Sequence, residues 1–124
     1  AGCDAINLSL SVLRGPGAEL VGAACEAALD AGCLLVAPDG AATSRSLPAG
    51  LPCVVKAVAD DRLAFGEVRQ VGPWRFAAPG KPRELRGLPR EANLWGASFA
   101  CARVTAHLVR AARGQRMPCF LSLR

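Results

Sequence analysis

The sequence predicts an α/β domain: a mainly parallel sheet with helices on its faces and a β-hairpin. Three observations carry that expectation. Residues 33–37, Cys-Leu-Leu-Val-Ala, are an unbroken apolar run, the pattern of a strand buried on both faces, as in a parallel sheet. Residues 5–59 read strand, helix, strand, loop, strand, the rhythm of a βαβ unit. Residues 97–113 read as a second helix whose first half is rich in small residues (Ala97, Ser98, Ala100, Cys101, Ala102), so it can pack closely under a sheet.

The elements follow in order. Residues 5–12, Ala-Ile-Asn-Leu-Ser-Leu-Ser-Val, alternate apolar and small polar side chains and predict a strand. Gly15-Pro16-Gly17 is a turn. The helix over 18–31 places Leu20, Ala24 and Ala28 on one face, with Ala27 and Ala31 beside them. Glu19 suits its positive end, and Gly32 is a natural stop. Pro38-Asp39-Gly40 ends the apolar strand. A polar loop with Pro48 and Pro52 spans 41–52, and residues 53–59 form the next strand. Residues 63–78 predict a hairpin turning near Gly72-Pro73. A loop rich in Pro, Gly and Arg fills 79–93. Arg110 and Arg113 suit the C-terminal end of the second helix, and Gly114 stops it. Residues 117–123 read as an edge strand.

Composition bounds the function. The 124 residues are 52% apolar and 20% charged, which excludes a disordered chain. No apolar run approaches the roughly 18 residues of a membrane span. The net charge of +5 comes from scattered basic residues, aromatics make up only 5% and Tyr is absent. With neither a basic stripe nor a stacking platform, nucleic acid is not the expected partner. No glycine-rich phosphate cradle occurs. Cysteines at 3, 25, 33, 53, 101 and 119 show no CxxC spacing, and His107 is the sole histidine, so neither a metal site nor a cofactor is expected. Cys33, Cys53 and Cys101 lie in apolar surroundings, where free thiols serve as small core residues. Unpatterned cysteines favour a reducing, cytoplasmic compartment. The chain opens at Ala1 without Met and is expected to be a fragment or a processed product.

The segment that carries chemistry is Trp95-Gly96-Ala97-Ser98-Phe99-Ala100. A Ser at the start of a helix has its hydroxyl beside free backbone N–H groups and the positive end of the helix dipole. That environment suits a nucleophile whose attack creates an oxyanion. It also suits an ordinary helix cap.

Four blocks in order shift that choice toward the nucleophile. They are Ile6-Asn7-Leu8-Ser9-Leu10, then Ala31-Gly32-Cys33-Leu34-Leu35-Val36-Ala37, then Leu47-Pro48-Ala49 with Pro52-Cys53-Val54-Val55. The last is Ala78-Pro79-Gly80, followed after 15 residues by Gly96-Ala97-Ser98-Phe99-Ala100. Together they resemble the C-terminal half of the subtilisin-like serine peptidases, the subtilases. The resemblance covers nearly the whole chain as one domain, residues 1–124, without the family's N-terminal half. It implies part of a three-layer subtilisin-like fold. It implies Ser98 as nucleophile, its N–H as half of an oxyanion hole, and Ser9, Leu10 and Ser11 as the lining of a peptide cleft.

The departures weigh on activity. The family's Asp and His belong to the half that this chain lacks. His107 falls nine residues past Ser98, roughly 13 Å along one helix and out of reach of its proton. The position of the family's oxyanion Asn is Asp39 or Gly40. An ionised Asp repels a developing oxyanion, Gly donates nothing from a side chain, and losing such a donor costs about 10²–10³ in rate. Ser11 replaces the family's Gly, Ala97 its Thr, and Ala102-Arg103 its Pro-His. The expected activity is peptide-bond hydrolysis, silent in this fragment alone, on a peptide or protein substrate. The alternative is a pseudopeptidase that binds a peptide or partner without cutting it. Half of such a sheet leaves a strand edge open, so the isolated chain is expected to oligomerise or to dock on a missing half.

Overall fold

The computed structural model describes residues 3–40 and 45–114. In chain order the elements are β1 (Ala5–Asn7), β2 (Val12–Leu13), α1 (Ala18–Asp30), β3 (Leu34–Pro38), β4 (Ser46–Leu47), β5 (Val55–Ala59), β6 (Arg69–Gly72), β7 (Arg75–Ala78), a 3₁₀ turn (Arg90–Ala92) and α2 (Ala97–Gly114). The main sheet has the order β1-β3-β5-β7-β6. Its first four strands are parallel, and β6 closes the far edge antiparallel to β7. A separate antiparallel pair joins β2 to β4. The protein is thus a mixed α/β structure with a mainly parallel sheet.

The alternation along β3 sets the layers. Leu34 and Val36 face α2, where they pack with Val55, Ala57, Phe76, Ala78, Ala100, Cys101 and Val104. Leu35 and Ala37 face the other way, onto Cys25 of α1 and onto Ala49 and Val54. Both faces of β3 are therefore covered, which is why its sequence is apolar without interruption. The small residues of α2 serve as expected: Ala100 and Cys101 are wholly buried and let the helix axis approach the sheet.

Four expectations are corrected. The strand predicted over 5–12 breaks after Asn7. Leu8 still donates to the Val36 carbonyl (2.9 Å), but Leu10 N–H turns back to Leu8 (2.7 Å) and the chain leaves the sheet for β4. Residues 8–11 lie in neither strand, and Ser9 to Leu13 are all exposed. Of the face expected on α1, Ala28 packs on the core but Leu20 and Ala24 do not. Leu20 is 78% exposed, and Ala18 and Cys25 are buried, with Val21, Ala28 and Leu29 beside them. A helix with alanine on nearly every side offers no stripe from which to choose. The loop 41–52 is not uniformly polar and exposed: Ser46, Leu47 and Ala49 are buried beside α1. The first arm of the hairpin is shorter than expected, 69–72, because residues 61–68 coil through turns held by Asp60 and Glu67. Trp74 takes the positive φ of that hairpin (55°). The edge strand read at 117–123 and Cys119 lie outside the described residues.

Gly32 ends α1 as expected, with φ 83°. The carbonyls of the last turn are closed by Ala31, Gly32 and Cys33 N–H groups (2.9–3.0 Å), the usual use of a left-handed glycine after a helix. Among the described residues no helix is long and apolar enough to cross a membrane.

Candidate functional site

Parallel strands end together, so the C-terminal ends of β1, β3, β5 and β7 share one edge of the sheet. Open α/β sheets place their ligands there. The start of α2 sits at that edge for a local reason. Gly96 N–H donates to the Gly80 carbonyl (2.8 Å), and Gly80 N–H donates to the Asp61 carboxylate (2.9 Å). The Ala-Pro-Gly block and the Gly-Ala-Ser block are thus bonded to each other across a 15-residue loop. Gly80 has to be glycine: a Cβ there would stand 2.7 Å from the Ala59 Cβ and 2.9 Å from the Trp95 ring nitrogen.

Ser98 is the second residue of α2 and is exposed. Phe99 N–H is taken by the Gly96 carbonyl (3.1 Å). The neighbouring N–H groups of the first turn have no intrahelical acceptor and point along the positive end of the dipole. Ser9 reaches the same place from β1: its hydroxyl donates to the Ser98 carbonyl (3.3 Å). The structure therefore brings together Ser98 and Ser9, which lie far apart in sequence.

Three contributors were not legible beforehand. The Asn7 side-chain amide donates to the Ser9 hydroxyl (2.9 Å), and the Thr105 hydroxyl donates to the Asn7 side-chain oxygen Oδ1 (3.0 Å). Thr105 lies two turns after Ser98, on the same side of α2. The row Thr105–Asn7–Ser9–Ser98 ties the helix to the end of β1. Cys101 lies beneath it, its thiol donating to the Val36 carbonyl (3.3 Å), and burial pushes its pKa up to about 11. It is a protonated core group, not a nucleophile. The signals available were the polar Asn7 inside an apolar strand and the i, i+7 spacing of Ser98 and Thr105. Neither names its partner.

Leu10 and Ser11 are exposed near this edge, but Leu10 N–H is spent on Leu8 and is not presented to a ligand backbone. The Asp39 side chain is only 8% exposed, and its carboxylate accepts from Arg75 Nε at 2.6 Å. Its N–H donates to Ala57 (2.8 Å). The third unforeseen residue, Arg75, therefore neutralises the charge at the position where an oxyanion donor was sought. Gly40 follows, exposed.

No histidine serves Ser98 here. His107 is exposed and borders a shallow groove with Gly66, Val68, Arg103 and Arg110. Arg103 instead clamps the loop after Gly80: it donates to the Lys81 and Pro82 carbonyls and stacks 4.1 Å above the Phe65 ring. Among the described residues no His, Cys, Asp and Glu cluster could hold a metal ion.

Comparison with known proteins adds no relative. No protein-family profile, no curated protein and no solved structure matches the chain.

Proposed function

We propose that this chain is the serine-bearing part of a subtilisin-like serine peptidase domain, with Ser98 as its nucleophile. The observation that carries this reading is the bond from Gly96 to Gly80. It joins two of the sequence blocks and presents Ser98 on a helix N-terminus, at the C-terminal edge of a parallel sheet. A nucleophile there meets backbone donors where an oxyanion would form. In this reading the Asp and His come from a further segment or a partner chain, and this chain alone does not cut peptides. The substrate is a peptide or protein that enters beside Ser9, Leu10 and Ser11.

The Asp39–Arg75 pair favours a second reading, a pseudopeptidase. It occupies the place of the missing oxyanion donor with a carboxylate already bound to a cation. Hydrolysis of fluorogenic peptides by the full-length gene product separates the two. Turnover that falls at least 10²-fold in Ser98→Ala supports the peptidase. Peptide binding without turnover, unchanged in Ser98→Ala and lost when Ser9 is replaced by Trp, supports the pseudopeptidase. Neither turnover nor binding removes both.

A further inference from the structure

At the opposite end of the sheet, two thiols face each other. Cys3 precedes β1 and Cys33 precedes β3, and their sulfurs are 3.6 Å apart. The Cys33 thiol also donates to the Cys3 carbonyl (2.9 Å). Directly after them the ladder begins: Leu34 N–H donates to the Asp4 carbonyl (2.9 Å), and Ala5 pairs with Leu34. The backbone that carries both thiols is therefore already held in register. A disulfide closes the 3.6 Å gap between the sulfurs to about 2 Å. Cys3 is exposed and Cys33 half-buried, whereas Cys25 and Cys101 are buried in the core. Among the described residues no other two cysteine sulfurs are in contact.

We propose that Cys3 and Cys33 form a thiol–disulfide exchange site, which a low-molecular-weight disulfide such as oxidised glutathione converts to an intrachain disulfide. The exposed Cys3 thiolate attacks one glutathione sulfur, and one glutathione leaves as a thiol. The Cys33 thiolate then attacks the Cys3 sulfur of the mixed disulfide, and the second glutathione leaves. The two cysteine protons end on the two glutathione thiols, and two electrons pass from the protein to the oxidant. The hydrogen bond that the Cys33 thiol donates to the Cys3 sulfur, then burial, raises the Cys33 pKa. The second step accordingly quickens as pH rises, because the thiolate is the attacking form.

The bond would matter because β1 has only three residues and, among the described residues, is an edge strand with β3 as its one strand neighbour. It runs straight into Asn7 and Ser9. Closing the loop between positions 30 apart in sequence pins that strand and removes freedom from the unfolded chain. The inference is independent of what Ser98 does.

The experiment incubates the intact chain in buffers of graded oxidised-to-reduced glutathione ratio, quenches with acid and alkylates free thiols. Digestion with trypsin and a Glu-specific protease separates Cys25 from Cys33, because Glu26 lies between them. A Cys3–Cys33 peptide at least ten times more abundant than any other cysteine pair is expected. Its formation should raise Tm by about 10 °C, reversed by reductant and absent in Cys3→Ser and Cys33→Ser. Glutathione that stays on Cys3 without being displaced overturns the proposal. So does preferential pairing of any other two cysteines, or full alkylation at every ratio. These outcomes are read in the wild-type chain and do not depend on the variants folding.

Discussion

The two helices look alike in sequence and differ in what they do. Both are rich in alanine and both carry one cysteine. α2 lies under β1, β3, β5 and β7, with Ala100, Cys101 and Val104 wholly buried. α1 covers little beyond β3 and β4, and buries only Ala18 and Cys25. The lesson is about anchoring. The first turn of α2 is fixed by Gly96 on Gly80 and by Ser9 on the Ser98 carbonyl, so its small residues are held against the sheet. α1 starts from Gly17 with no side-chain cap and rests on its flanking loops. The helix that bears Ser98 is the one anchored at its first turn and buried along its sheet face.

The largest effect that would sharpen this contrast is Ala100→Leu. Three added carbons have no space between α2 and the sheet, so stability should fall by about 3 kcal/mol in a urea titration. A loss under about 1 kcal/mol would mean that α2 is not pressed against the sheet. Gly80→Ala comes next, at about 2 kcal/mol. The exposed Trp95 ring can swing aside, but the Ala59 Cβ cannot. The same substitution should loosen the start of α2, read as faster amide exchange in residues 98–102.

On α1 the effects shrink. Cys25→Ser should cost about 1 kcal/mol, since a hydroxyl replaces a buried thiol packed on Leu35 and Val54. Leu20→Ser should change stability by no more than about 0.5 kcal/mol, because Leu20 is solvent-exposed. If Leu20 proved the costlier of the two, the assignment of the buried face would be wrong.

The smallest effect concerns acid. The Arg62 guanidinium bonded to Asp60 holds its carboxyl at about 2, below the ordinary 3.8. A depressed folded-state pKa means that the pair supports the fold above pH 3.8 and loses that support as pH falls from 3.8 through 2. Carbon-detected NMR titration should find Asp60 near 2 in the wild type and raised toward 3.8, though short of it, in Arg62→Ala, because the backbone N–H of residue 62 still donates to the carboxylate.

These contrasts show what could be read in advance. The buried strand read at 33–37 forms at 34–38 and the helix read at 97–113 forms at 97–114, because an unbroken apolar run and a terminal glycine are local signals. The face of α1 was not legible, since alanine satisfies either side. At the site, Ser98 and Ser9 could be named from the ordered blocks. Arg75 on Asp39 and Thr105 on Asn7 join residues 36 and 98 apart. Arg75 and Thr105, taken alone, read as ordinary surface side chains, and neither Asp39 nor Asn7 names its partner. Only the folded sheet puts them together.

The central claim is that Ser98 is a peptidase nucleophile whose base lies outside this chain. A fluorophosphonate probe, applied to the chain and to the full-length gene product and mapped by mass spectrometry, tests it directly. Labelling of Ser98 in the full-length product only, abolished by Ser98→Ala, is the result expected. Failure to label Ser98 in a folded full-length product would contradict it.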